Sequence, residues 1–179
     1  MGQEQFSDIL NLLRLPKPRA VDIIPLFAQL EHDYPCNVEN QINDLTGVWE
    51  LRWSSSNAPY LQVQPWLDNL QILLPADKRA VNLLKLPAPL GGIAVVAELQ
   101  IQPPKRVGVT FIRGGWIGQK IGLFKPKLLT NIKQEFPAWL DVTVLTNELR
   151  LSRGSNGTLF ALIKRHDLNT SELTSSLSL

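Results

Sequence analysis

Hydrophobic positions along this chain change period once, near residue 45. Before that point Phe6, Ile9, Leu10 and Leu13 fall at i, i+3, i+4 and i+7, the apolar stripe of a short helix that Pro16 and Pro18 stop. Ile23, Leu26, Phe27 and Leu30 repeat that spacing. Asp22 is placed to cap this second helix, which would put Pro25 in the first turn, where its missing N–H costs little. Tyr34-Pro35 then ends it.

From Leu45 the period becomes two. In the segment 48–53, Trp49, Leu51 and Trp53 share one face and Glu50 and Arg52 the other, the signature of a half-buried strand. Ile93, Val95, Ala97, Leu99 and Ile101 alternate in 92–102, and Val107, Val109 and Phe111 in 105–112. Pro103-Pro104 and Arg113-Gly114-Gly115 read as turns between such runs. Val142 and Val144 alternate next, and Thr146-Asn147 connects tightly to 149–153. Ser155-Asn156-Gly157 is a hairpin signal leading into 158–164. In all, the pattern predicts eight or nine short strands with no long helix among them, a sandwich or a closed antiparallel barrel. The Ser- and Leu-rich segment 171–179 reads as a frayed tail.

Composition narrows the function classes. The 179 residues carry 18 Lys and Arg against 16 Asp and Glu, a net charge of +2. That is too near neutral to indicate nucleic acid, although the pI is about 8.8. At 44% hydrophobic and 19% charged the balance is that of a globular chain. One cysteine, Cys36, excludes a disulfide within the chain. No run of about 18 apolar residues offers a membrane-crossing helix. Met1–Gln5 lacks the basic and apolar regions of a signal peptide, so the expected location is cytoplasmic or peripheral on a membrane, not secreted.

Signs of catalysis are absent from the sequence. His32 and His166 stand among charged or polar residues, neither with a second His or Cys at metal-ligand spacing, so solvated imidazoles and no metal are expected. Cys36 has no base near it in sequence and reads as an inert buried thiol. Gly114-Gly115-Trp116-Ile117-Gly118 fits no phosphate-loop pattern, and Gly154-Ser155-Asn156-Gly157 misses the nucleophile elbow by one position. No cofactor is expected. What stands out is aromatic surface in strands: five tryptophans (Trp49, Trp53, Trp66, Trp116, Trp139) with Phe111, Phe124 and Phe160. Ordinary barrel core accounts for most of these. The alternative is a barrel that its own side chains fill only partly, leaving room for an apolar ligand.

Two segments carry the reading further. Residues 45–56, Leu-Thr-Gly-Val-Trp-Glu-Leu-Arg-Trp-Ser-Ser-Ser, resemble the opening strand of the plastid lipid-associated protein family, also called PAP/fibrillin, and contain the Gly-x-Trp of the first lipocalin strand. Residues 145–160 are similar to that family's C-terminal signature, Leu-Arg-x-x-Arg-Gly-x-x-Gly-x-Leu-Phe. The resemblance spans roughly 23–165. Ser155 stands where an acidic residue often follows the signature's Arg-Gly, and Val144-Leu145 where the family tends to carry Thr-Tyr.

The resemblance implies a lipocalin-like antiparallel β-barrel with one or two N-terminal helices. It divides the chain into a helical segment over 1–42, a barrel over 43–167 and a flexible tail over 168–179. Without a transit-type N-terminus, a cyanobacterium-like member is implied. The function it implies is non-enzymatic binding of a lipid, isoprenoid quinone or carotenoid near photosynthetic membranes. A coat protein on a lipid surface is the nearest rival, and a bilin chromophore lyase on a lipocalin-like barrel the enzymatic one. The structural signature comprises Gly47, Trp49, Arg150, Arg153, Gly154 and Gly157. Strand phase puts Leu149, Leu151 and Arg153 on one face, so an inward Arg153 is expected to stack on Trp49 at the barrel end, with Arg150 facing the surface. Gly154 and Gly157 are expected to supply positive φ. Faces opposite Arg52 and Arg106 nominate Trp53, Val95, Leu99, Val109, Phe111, Trp116 and Phe160 as cavity lining; the cavity itself rests on the resemblance.

Overall fold

A computed structural model describes residues 2–64, 66–119, 126–134 and 138–177. The two helical stripes form α1 (Gly2–Arg14) and α2 (Ala20–Asp33). Arg19 occupies the N-cap of α2 without a capping side-chain bond, so Pro25 lies more than a turn inside the helix. Asp22 instead accepts two hydrogen bonds from the Arg19 guanidinium, at 2.7 and 3.0 Å. A single turn, α3 (Ile42–Leu45), leads into the sheet.

The strands are β1 (Gly47–Ser54), β2 (Asp68–Leu74), β3 (Arg79–Lys85), β4 (Gly92–Gln102), β5 (Arg106–Ile117), β6 (Lys127–Asn131), β7 (Ala138–Leu145), β8 (Leu149–Gly154) and β9 (Leu159–Lys164). Their order is β4-β3-β2-β1-β9-β8-β7-β5-β6, and β4 also pairs with β5. Every pairing is antiparallel, and the β4–β5 ladder closes eight strands into a barrel with β6 as an addition. Long β5 makes this possible. Its first half pairs with β7 and its second half with β6. Between them the Gln134 side chain accepts from the Phe111 amide at 2.5 Å and donates to the Val109 carbonyl at 3.2 Å.

Gly114 and Gly115 therefore lie inside a strand, not in a turn. A Cβ on Gly115 would fall 2.0 Å from the Leu128 carbonyl oxygen, so the β5–β6 approach requires glycine there. Three bulges re-aim the side chains. The register skips a residue between Leu51 and Trp53 of β1, between Val142 and Val144 of β7, and where β4 meets β5 beside Phe111. Past a bulge, residues of one apparent alternation switch faces.

Both faces of the barrel are buried. On one side α1 and α2 roof β1 and β7–β9, and Ile9, Leu13, Ile23, Phe27 and Leu30 pack with Trp53, Val144, Leu149, Leu151 and Ala161. Arg52 ties this roof down by donating to the Leu13 carbonyl at 2.8 Å and the Leu15 carbonyl at 3.1 Å, the C-terminal end of α1. Arg153 does the same for α2 through Glu31, with two bonds of 2.8 and 2.6 Å.

On the other side the segment expected to fray is ordered over its described part. Asn169 caps α4 (Thr170–Thr174), and Leu168, Leu173 and Leu177 pack on Val48, Leu70, Ile72, Val81 and Val96. Apolar leucines, not the serines between them, decide that outcome. One end of the barrel is shut by residues 36–45. The Cys36 and Val38 amides donate to the carbonyls of Thr143 and Pro104, and Gln41 Nε2 donates to the Leu145 carbonyl.

Candidate functional site

The barrel holds a cavity of about 690 Å³ that runs from this plug to the opposite end. Its walls are apolar over most of their area. β4 contributes Val95, Ala97 and Leu99, β5 contributes Val107, Val109 and Phe111, and β7 contributes Trp139, Leu140 and Val142. Leu45 belongs to the floor, while Leu84, Ile93 and the β8–β9 turn residues Ser155 and Asn156 stand at the mouth. Alternation delivers this lining, because every second residue of a barrel strand points inward. A polar stripe interrupts it: Asn69 and Gln71 on β2, with Asn82 on β3 opposite Gln71.

Chemistry concentrates at the floor. Trp49 is fully buried, and its indole N–H donates to the Leu45 carbonyl at 2.9 Å, which anchors the plug to β1. Lys164, opposite Trp49 on β9, donates to the Asp44 carbonyl at 2.7 Å and lies 5.2 Å from the ring centroid. The Arg150 guanidinium lies 5.1 Å from the same centroid and donates to Gln71 Oε1. Arg150 is only 1% exposed, and burial pushes its guanidinium down to about 9, which leaves it cationic at neutral pH. Desolvation also lowers Lys164, against the opposing pull of Asp44.

Of the seven nominated lining residues, Val95, Leu99, Val109, Phe111 and Phe160 face the cavity. Trp53 does not. The β1 bulge at Arg52 turns it outward, onto the helical roof. Trp116 has the inward phase, paired with Ile93, but sits beyond the wall at the rim; it is 42% exposed and donates to the Leu90 carbonyl at 2.9 Å. Phe124 lies outside the described residues.

The roles expected of the two signature arginines are exchanged. Arg153 points out to Glu31 and Phe27, and Arg150 points in to Trp49. The leucines that flank Arg150 are apolar because the helices cover them, so on β8 the apolar face is the outer one. Of the signature glycines, Gly157 takes φ +74° in the β8–β9 turn, as a residue without Cβ does easily. Gly154 ends β8 without positive φ, while Gly47 opens β1 at φ +135° beside the Lys164 side chain. Trp139 and Arg150 line the cavity but are absent from the residues nominated for it: the first lies in a segment of weak alternation, the second carries a charge that argues for the surface.

Among the described lining residues there is no His, Cys, Asp or Glu. Cys36 is in the plug, and burial pushes its thiol up to about 11, far from the thiolate a nucleophile needs. His32 contacts Asp33 and His166 the Asn147 carbonyl, both exposed. No cluster of three or more His, Cys, Asp or Glu is placed to hold a metal among the described residues. Nor is any described helix long and apolar enough to cross a membrane.

Comparison with known proteins adds a family to this geometry. The PAP_fibrillin family profile matches residues 13–163, from α1 to the last barrel strand. A curated protein of Solanum tuberosum named light-induced protein, chloroplastic, is 26% identical over 196 aligned positions. The alignment covers 80% of this chain and 59% of that protein, so the chain spans less than two thirds of its relative's length.

Proposed function

The chain belongs to the PAP/fibrillin family of plastid lipid-associated proteins, and on that premise we propose that it binds a hydrophobic small molecule non-covalently inside its barrel, as a non-enzymatic lipid-binding protein of photosynthetic membranes. The observation that carries this reading is the 690 Å³ apolar cavity. Its volume is within the ~300–1,000 Å³ usual for small-molecule sites. Burying on the order of 300 Å² of ligand at ~25 cal/mol per Å² supplies about 7–8 kcal/mol before the cost of immobilising the ligand is subtracted. A lipid, an isoprenoid quinone and a carotenoid are the ligand classes in view. The described lining, without His, Cys, Asp or Glu, supports binding over a bilin lyase, which needs a proton-transferring group at the reacting atoms.

The test is titration with a quinone analogue or a fluorescent lipid, followed by quenching of tryptophan emission, since Trp139 lines the wall. Val109→Trp is expected to fill part of the cavity and weaken binding about tenfold or more, with the barrel still folded by circular dichroism. Undiminished binding by a folded Val109→Trp, or no binding of any lipid by the wild type, would falsify the enclosed-ligand reading.

A specific feature also favours contact with a lipid surface. Ile93, Trp116 and Leu128 lie side by side across β4, β5 and β6 at the mouth, and all three are exposed, Leu128 to 70%. Leu90 extends the patch, and Lys127 precedes Leu128. An apolar patch of this kind suits the boundary of a bilayer, where it would hold the mouth against the membrane. Trp116→Ser combined with Leu128→Ser is expected to cut retention on phosphatidylglycerol-containing vesicles about tenfold, on the ~0.8 kcal/mol per buried CH₂ scale. Cavity binding of a soluble ligand is expected to persist in that variant. Equal retention of variant and wild type removes the surface reading.

A further inference from the structure

Arg150 is set apart from the other inward or roof-facing arginines by what it lacks. Arg52 and Arg165 share Glu50, Arg106 pairs with Asp141 and Arg153 with Glu31. Arg150 is the most buried of these, yet no carboxylate of the described residues lies within ion-pair distance of it. One of its five N–H groups goes to Gln71, while its Nε is buried without a hydrogen-bond partner. Two residues along the same strand face, the Ser152 hydroxyl is buried without a partner as well. Ser152 stands in register between Val142 and Phe160, both of which line the cavity. The nearest other cation, Lys164, adds positive charge across the Trp49 ring. A desolvated cation with free donors and no counter-charge is costly unless something else brings the anion.

We propose that the cavity takes an amphiphile with a carboxylate head group, which seats head-down on Arg150 at the closed end and runs its chain toward the mouth. The proposal rests on the cavity-binding reading and specifies the ligand class for it. A guanidinium offers a planar fork that matches a carboxylate bidentately. The four strand steps from Arg150 to Gly154 span roughly 13 Å, so a long acyl chain anchored at the floor reaches the apolar rim. The Gln71–Asn82 stripe is neutral and adds no competing charge.

Palmitate, methyl palmitate and hexadecanol, each titrated against the full chain by calorimetry and by displacement of a fluorescent lipid, test the head-group assignment. Palmitate is expected to bind about tenfold or more tighter than either neutral analogue, the effect of one charge-assisted pair. In Arg150→Met the preference is expected to vanish, with methyl palmitate affinity little changed. Arg150→Lys keeps the charge without the fork and is expected to retain part of it. Equal binding of acid, ester and alcohol by the wild type overturns the carboxylate assignment and leaves the cavity reading intact. Binding of none of the three overturns both. The wild-type ratio decides the matter even if Arg150→Met does not fold.

Discussion

Trp49→Ala is expected to destabilise the protein by ~3–5 kcal/mol, measured as a lowered urea midpoint at unchanged slope. The ring has no exposed surface, and three separate interactions converge on it. Its N–H holds the Leu45 carbonyl, and the Arg150 and Lys164 cations lie 5.1 and 5.2 Å from its centroid. Each cation–π contact is worth ~0.5–2 kcal/mol depending on desolvation. Removing the indole therefore creates a cavity at the floor and strips the buried Arg150 and the half-buried Lys164 of their π-face together. Trp49→Phe separates these effects: it keeps a ring and loses the Leu45 bond, for a cost of about 1 kcal/mol. A loss below about 1 kcal/mol in Trp49→Ala would show that the plug does not depend on this ring.

Much of the barrel is legible in the sequence because a strand with one apolar face announces itself. The second half of β4 is a clear case, since Ala97 and Leu99 line the cavity and alternate with Glu98 and Gln100. The same logic misassigns β8. There Leu149, Arg150, Leu151 and Ser152 are all buried, the leucines under helices and the polar pair inside. Apolar-inward is a rule for a barrel in water; it inverts where helices roof the outside and a cavity keeps polar groups within. The end of β1 fails for another reason. Nothing in Trp49-Glu50-Leu51-Arg52-Trp53 marks the bulge that sends Trp53 to the outer face, because a bulge of this kind needs no special residue.

Strands β2 and β3 give little alternation for a related cause. Leu70 and Ile72 pack outward against the C-terminal segment while Leu73 packs inward, so apolar residues run on both faces. The plug had no signal beyond loop composition. Its hold comes from backbone groups donating to Thr143 and Pro104, more than sixty positions away.

Phe27→Ala is expected to match the Trp49 variant in stability cost, ~3–5 kcal/mol, while leaving the cavity untouched. Phe27 is fully buried in the roof cluster with Leu149, Leu151 and Trp53, and Arg153 lies 5.7 Å above its ring, held by Glu31 of the same helix. Its loss leaves a void between α2 and the barrel, on the opposite side of the sheet from the cavity. Affinity for palmitate or a quinone analogue is thus expected to stay within about twofold of wild type under native conditions, since coupling is small between sites without shared partners. Trp49 packs in the inner cluster, so the Phe27→Ala and Trp49→Ala costs are expected to add within ~0.5 kcal/mol. A Phe27→Ala protein that unfolds at the wild-type midpoint would show that the helices are appended to the barrel and not part of its core. One that keeps its stability deficit but also loses ligand would show that the roof shapes the cavity through the β8–β9 wall, and that the two faces of this barrel are coupled.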